Sequence, residues 1–409
     1  MNPPRPPKKF HPFPFEYHQE IELEIDALTN LGAGVGRMDG WVVFVPGALP
    51  GETVRARVYR NDKNCSHADL LDVLEPSPDR VDPRCPLFGR CGGCQYQHLA
   101  YPRQLEWKTR QVGELMRHMA GIEFPVNTCR STEQIWNYRS KITPHFERPR
   151  NGEIGEIGFL AAGGRSRLVD VPRCDIAMDA INQALPEIRA DLHQRARTFR
   201  RGSTVLIRAS EEGVTTDFKT AVTERVSGLS FRFLAGDFFQ NNPFILSMFT
   251  AYVADRAAEG GARFLVDAYC GSGLFALTLA ARFEKVAGVE VSETSCEWAR
   301  CNARDNGIDH AEFLTASAEA IFDAVEFPAP ATTVVIDPPR KGCTPEFIEQ
   351  LAAYGPSRLV YVSCDPATQV RDLRLLMGCG FRLCDVQPFD LFPHTRHVEC
   401  VMTLERVGN

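Results

Sequence analysis

The sequence predicts a multidomain α/β protein: a small N-terminal β-barrel, a central α+β segment holding a cysteine cluster, and a C-terminal Rossmann-like doubly wound sheet. Three observations carry this. Short alternating segments with glycine-proline punctuation fill residues 14–78, cysteines crowd the start of 81–235, and strand and helix patterns alternate regularly from 236 to 409.

In the first segment, polar and apolar residues alternate through Glu20–Ala27, Trp41–Val45 and Thr53–Tyr59, and the turn-rich LGAGVGRMDG and PGALPGE separate them. Several short strands in ~60 residues suit a small five-stranded barrel of the oligonucleotide-binding kind. The proline-rich Pro76–Pro86 reads as a linker, and Arg103–Met119 as a helix. Strand-like stretches follow at Gly155–Leu160 and Thr204–Arg208. In the last segment, Arg263–Tyr269, Lys285–Val291, Thr332–Ile336 and Arg358–Val362 read as strands, with helices at Leu274–Arg282 and Glu293–Asn306. This βαβ rhythm predicts ligands at the carboxyl ends of the strands.

The chain has 409 residues, 44% hydrophobic and 24% charged, and no apolar run of the ~20 residues that a membrane helix needs. The opening MNPPRPPKKF is basic but lacks the apolar stretch of a secretory signal, so the fourteen cysteines read as reduced thiols or ligands in a cytoplasmic protein. A net charge of −6 argues against a general nucleic-acid coat. Basic runs at Arg148/Arg150, Arg165/Arg167 and Arg195–Arg208 still allow a local nucleic-acid path, or a solvated face.

FLVDAYCGSGLFALTLA is a buried strand ending in Asp267, a turn through Gly271 and Gly273, and a helix. Glu290 closes the next strand ~20 residues on, where a carboxylate binds ribose hydroxyls, and Asp337 closes a later strand in IDPPRKG. The three point to a nucleoside cofactor. Ala276 in place of the third glycine, with the DPP tripeptide, turns the choice from a dinucleotide to S-adenosylmethionine. In YVSCDPATQVRDL, Cys364 ends a strand directly before a helix that Asp365 caps, and the helix's amino end is expected to favour its thiolate. Beside a methyl-donor pocket it is a candidate nucleophile. Glu399, in HTRHVECVMTLE, is the candidate base.

Cys85, Cys91 and Cys94 form C-x5-C-x2-C in CPLFGRCGGCQYQH. Thiols this close read as ligands, and Cys174 is the best isolated fourth, with His98 and Cys65 as alternatives. Four thiolates suit zinc or an iron–sulfur cluster, and the missing second C-x2-C favours [4Fe–4S].

With these motifs in place, the chain resembles the RNA 5-methyluridine methyltransferases, particularly the iron–sulfur branch acting on 23S ribosomal RNA. The likeness runs through CPLFGRCGGCQYQH, FFQNN, DAYCGSGLF, DPPRKG, YVSCDP and the late HVE, in order, over almost the whole chain. It implies a TRAM barrel at 14–78, a cluster-bearing RNA-binding domain at 81–235 and a class I methyltransferase domain at 236–409. It implies Cys364 as nucleophile and Glu399 as proton acceptor. Gln240, Tyr269, Glu290 and Asp337 match positions that hold S-adenosylmethionine, Phe238 an aromatic near the target base, and Cys85, Cys91, Cys94 and Cys174 the cluster ligands. Leu274 and Ser317 depart from asparagines in some relatives. The implied partner is RNA, 23S ribosomal first and transfer RNA second, with no membrane and no obligate protein partner. The target base must leave its stack to reach Cys364.

Other chemistries fit less well. A radical S-adenosylmethionine enzyme uses three cysteines, commonly C-x3-C-x2-C, whereas here the first gap is five and a fourth cysteine is at hand. An amino-group methyltransferase wants an aromatic where Arg340 stands, and leaves Cys364 idle. A non-catalytic RNA-binding module leaves both Cys364 and Glu399 unexplained.

Overall fold

The computed structural model describes residues 6–8, 10–164, 167–317 and 320–407; Arg165, and residues 1–5 and 9 of the basic N-terminal stretch, lie outside the described residues. The chain forms two compact units. One comprises Met1–Gln111 with Leu160–Ser166 and His394–Arg396, and the other the remainder.

In the first unit, β1 (Glu20–Leu28), β2 (Ala33–Met38), β3 (Trp41–Pro46), β4 (Thr53–Asn61) and β5 (Cys65–Glu75) close a barrel in the order β1-β2-β3-β5-β4. Period-two alternation turns Ile21, Leu23, Ile25, Val43, Val45, Val54, Ala56 and Val58 into one core. The segment expected to be turns, LGAGVGRMDG, contains β2. Its glycines serve close packing rather than bending: a Cβ on Gly34 would stand 2.8 Å from the Ala48 carbonyl, and one on Gly36 2.5 Å from that of Glu24. β5 also escaped the alternation pattern, because its pairing with β4 shifts register three times. Past the barrel, Arg80 in the proline-rich break donates to Gly47 O and Glu52 Oε2, both at 2.9 Å, which anchors that stretch to the barrel wall.

The second unit begins with short strands. Ser203–Thr204, His145–Phe146, Ile157–Leu160 and Leu168–Asp170 make one small sheet; Gly213–Thr215, Ile207–Ser210 and Lys141–Ile142 make another; Ala221–Val226 and Leu229–Leu234 form a hairpin. Behind them lies a seven-stranded sheet: β6 (Phe264–Ala268), β7 (Lys285–Glu290), β8 (Ala311–Thr315), β9 (Thr332–Ile336), β10 (Arg358–Ser363), β11 (Phe381–Phe389) and β12 (Glu399–Arg406), in the order β8-β7-β6-β9-β10-β12-β11. The first five in that order run parallel, and β12 runs antiparallel to β10 and β11. Every residue of β9 and β10 is buried, which explains their unbroken apolar reading: helices cover both faces of a parallel sheet. The order reverses between β6 and β9, so their carboxyl ends diverge into a crevice. No helix among the described residues is long and apolar enough to cross a membrane.

Candidate active site

The parallel register aligns Ala268 with Val289 and with Ile336, and Ile336 with Tyr361. Tyr269, Glu290, Asp337 and Cys364 therefore all emerge from the same edge of the sheet. Tyr269 opens the glycine turn at φ 66°, a left-handed conformation that an aromatic residue adopts only under constraint. Gly271 follows at φ 54°, and a Cβ there would meet nothing within 4 Å, so the turn faces open space. Glu290 is fixed from both sides: Gly271 N–H donates to its Oε2 at 3.1 Å and Ser292 N–H to its Oε1 at 2.9 Å. Each oxygen keeps a lone pair for a hydroxyl.

Asp267 was read only as the end of the first strand, yet it belongs to this edge. It is fully buried, accepts Ala276 N–H at 2.7 Å through Oδ2, and leaves Oδ1 buried without a protein partner. Its signal in the sequence was a carboxylate inside an otherwise apolar strand, immediately before a glycine turn.

Cys364 lies one residue beyond β10, whose last ladder pair with β12 is Ser363 opposite Cys400. Cys364 and Glu399 each lie one residue beyond that last rung, so two residues 35 apart in sequence become neighbours at the end of the ladder, and the Glu399 carboxylate acts on the Cys364 thiol. Gln369 bolts the two strands together, donating to Tyr361 O at 2.9 Å and Cys400 O at 3.0 Å. Asp365 caps the following helix, Pro366–Gly378, accepting from Ala367 N–H at 3.0 Å and Thr368 N–H at 3.3 Å.

That helix end does not make Cys364 a thiolate, contrary to the sequence-based expectation. Burial, then the Glu399 and Asp337 carboxylates, push the thiol up to about 12, while Arg340, which hydrogen-bonds the sulfur, pulls the other way. The acids repel one another too. Burial drives Asp337 up to about 7, and burial with Asp337 nearby holds Glu399 well above the usual carboxylate range. Asp267 is raised by burial, then by Asp337 and Glu290. A cation in the crevice would offset this crowding of acids and favour their ionised forms. A sulfonium bears such a charge. The open glycine turn, the orphaned Asp267 oxygen and the acid surplus fit S-adenosylmethionine.

Two supports set the remaining groups. In FFQNN, Phe239 stacks on Phe233 at 4.3 Å and Asn242 caps the helix Pro243–Ala258, donating to Leu391 O at 2.9 Å. Between these anchors Gln240 is buried, while Phe238 is 74% exposed, an apolar ring displayed to solvent. Lys141 holds the approach, donating to Gly236 O at 3.2 Å and Asp237 O at 3.1 Å. The IDPPRKG loop is gripped by the helix after Cys364. Thr368 donates to Arg340 O at 3.1 Å, Arg371 to Lys341 O at 2.8 Å, and Cys343 N–H donates to Asp372 Oδ2 at 2.8 Å. Leu274 is buried in the core and Ser317 is exposed.

Cys85, Cys91 and Cys94 lie half-buried on one loop of the first unit, and Cys174 is half-buried in the second. The loop is tightly folded: Phe88 N–H donates to Cys85 O at 3.0 Å, Cys91 N–H to Leu87 O at 2.8 Å, and Gly93 N–H to Cys91 Sγ at 3.4 Å. Burial chiefly, and the neighbouring Cys85, raise the Cys91 thiol. Asn182 frames Cys174, accepting its N–H and donating to its carbonyl, both at 3.0 Å.

The fold is that of a class I methyltransferase carrying a TRAM barrel, whose family matches residues 15–71. The chain belongs to the tRNA (uracil-5-)-methyltransferase family, which matches residues 179–407. It is 42% identical over 421 residues to a tRNA (uracil(54)-C(5))-methyltransferase of Schizosaccharomyces pombe, covering 96% of this chain and 80% of that protein. Its identity to the enzyme of the same name from Saccharomyces cerevisiae is 31%, over 97% and 75% of the two chains. Among solved structures, the Pyrococcus abyssi tRNA (uracil-54, C5)-methyltransferase in complex with S-adenosyl-L-homocysteine superposes with a TM-score of 0.72 at 24% identity, covering 94% of this chain and all of that one.

Proposed function

We propose that this chain methylates carbon 5 of a uridine in transfer RNA, uridine 54 by similarity to its yeast relatives, using S-adenosylmethionine. The observation that carries this is the placement of Cys364 beside Glu399 at the end of the β10–β12 ladder, at the edge that also presents Glu290 and Asp337. The motifs alone pointed first to 23S ribosomal RNA; the Schizosaccharomyces pombe and Saccharomyces cerevisiae relatives are named for transfer RNA, which supports transfer RNA as the substrate.

Bound at Gln240, Tyr269, Glu290 and Asp337, S-adenosylmethionine supplies an electrophilic methyl group. The Cys364 thiol gives up its proton to solvent and the thiolate adds to carbon 6 of the uracil, which makes carbon 5 the nucleophile. After carbon 5 has taken the methyl group, Glu399 removes its proton, the double bond re-forms and Cys364 leaves. Arg340, hydrogen-bonded to the sulfur, stabilises the thiolate at the start and the end. Phe238 offers a face on which a splayed base stacks. In this reading residues 14–78 grip RNA, 81–235 present it and 236–409 do the chemistry.

Cys85, Cys91, Cys94 and Cys174 are proposed to hold a [4Fe–4S] cluster. The support is the C-x5-C-x2-C spacing on one loop, where Cys85 acts on the Cys91 thiol and Gly93 N–H donates to the Cys91 sulfur. No redox step occurs in the methylation, so the cluster's role is to fix the RNA-presenting segment.

Tritium release from carbon-5-labelled uridine tests the substrate. Label should be lost from a transfer RNA transcript and retained when uridine 54 is replaced by cytidine. Release from 23S RNA alone would return the assignment to ribosomal RNA. Release by Cys364→Ala at anything near the wild-type rate would defeat the covalent mechanism.

A further inference from the structure

The β4–β5 hairpin of the barrel carries a second group of metal-type donors, remote in sequence from the cysteine loop. Asp62, Cys65 and His67 each place one ligand atom within 4.8 Å of the others, and all three are half-buried. The stretch is Asp-Lys-Asn-Cys-Ser-His, and its geometry follows from the hairpin. Asp62 N–H donates to Cys65 O at 2.8 Å and closes the turn. Cys65 and His67 are two apart on β5 and so share one face. Ser66 between them points inward, is fully buried, and bonds Asn61 Oδ1 at 2.7 Å. Strand β5 also pairs parallel with β3, matching Cys65 with Val42 and His67 with Phe44, so the donors stand beside the seam that closes the barrel.

The ring of His67 is already oriented. It packs against Phe44 at 5.4 Å and Tyr59 at 6.2 Å between centroids, and its Nε2 lies 3.1 Å from Asp62 Oδ2. One thiol, one imidazole and one carboxylate is a borderline-soft donor set suited to zinc, whose bonds to such atoms run about 2.0–2.3 Å. We propose that Asp62, Cys65 and His67 form a zinc-class divalent transition-metal site on the barrel, with water completing the coordination.

Binding has a defined balance. The Cys65 thiol loses its proton to solvent as the metal–sulfur bond forms, and His67 binds as neutral imidazole. Arg60 is the competitor, since its Nε donates to Asp62 Oδ1 at 2.9 Å and its guanidinium reaches Oδ2 at 2.7 Å. The metal takes Oδ2, which leaves Arg60 its bond to Oδ1. Bound ion would staple the turn to β5 and stiffen the part of the barrel nearest its closing seam.

The test is zinc alone, titrated into full-length protein against a chromophoric chelator, with thermal melts in parallel. Wild type should bind one more equivalent than Cys65→Ser or His67→Gln. Losing a ligand should weaken that equivalent at least as much as losing an outer-shell partner, roughly 10–100-fold. Metal taken up by the cysteine loop is common to wild type and to both barrel variants, so it cancels from the increment. Arg60→Gln should bind more tightly than wild type, an outcome that a solitary reactive thiol would not give. Zinc should raise the melting temperature of wild type but not that of Cys65→Ser. Equal stoichiometry and affinity in wild type, Cys65→Ser and His67→Gln would overturn the site. So would loss in Cys65→Ser with none in His67→Gln, which would mean a lone thiol.

Discussion

Asp372 Oδ2 accepts the Tyr361 hydroxyl at 2.7 Å, fully buried, and the same oxygen receives Cys343 N–H from the IDPPRKG loop. Its other oxygen pairs with Arg371 at 2.7 Å, and Arg371 in turn holds Lys341 O. Gly342 sits beside it at φ 76°, where a Cβ would fall 2.4 Å from the carboxylate. One side chain on the helix after Cys364 thus locks the loop that presents Arg340 to the sulfur.

Asp372→Asn should therefore act through Arg340. An amide that keeps its oxygen toward Tyr361 turns its NH2 on the Arg371 guanidinium, costing about 2 kcal/mol of stability for the lost charge-assisted bond. A looser Arg340 supports the thiolate less, so the ascending limb of the rate profile, which rises as the thiol ionises, should move to higher pH while the KM for S-adenosylmethionine changes little. A variant that only melts earlier, with an unmoved pH profile, would assign Asp372 to packing alone.

Glu399→Gln should permit attack and methyl transfer but stall before proton removal. Methylated RNA attached to protein should then survive denaturation on a gel, in far greater amount than with wild type. Equal, faint adduct from both proteins would show that another group takes the proton.

The acid crowding has a consequence for stability. Asp337 titrates at about 7 when folded, against an ordinary value of 3.8, so the folded state binds its proton more strongly than the unfolded chain. Its contribution is complete below the unfolded value and is lost as pH rises through about 7. In the absence of cofactor, urea melts should show stability falling between about pH 4 and pH 7. Asp337→Asn, which cannot ionise, should flatten that decline. An identical slope in the variant would place the titration elsewhere.

Purified without oxygen, the protein should be brown and contain about four iron atoms per chain. Cys91→Ser should impair folding or RNA binding more than cofactor binding, since the residues proposed to hold the cofactor all lie in 236–409. Stoichiometric zinc without iron, insensitive to Cys65→Ser, would defeat the cluster.

What the sequence displayed depended on how local each signal was. Cys364 with its capping Asp365 was legible because a strand end and a helix start occupy adjacent residues, and Glu290 because it follows a glycine turn at a known interval. The regular sheet was legible wherever burial on both faces leaves an apolar run, as in Val334–Ile336 and Leu359–Val362. β2 was hidden because Gly34 and Gly36 look like turn residues, and only the neighbouring strands show why no side chain fits. The state of the Cys364 thiol was misjudged for a related reason. The helix end is local and visible, but Glu399 and Asp337 arrive from distant segments and outweigh it. The grip of Asp372 on Cys343, across 29 residues, leaves no local trace at all.

Because Ser363 and Cys400 share a rung, the placement of their neighbours Cys364 and Glu399 is set by the backbone ladder, whose rungs hold α-carbons roughly 5 Å apart, rather than by side-chain reach. The chain joining them can therefore lengthen or shorten without disturbing the chemistry, provided the two strands stay in phase. A slip by one residue would be fatal by comparison. It would set Val398 or Cys400 beside Cys364 and turn the glutamate to the other side of the sheet. Natural variation in this enzyme should thus accumulate as length between residues 365 and 398, and almost never as a change of pairing.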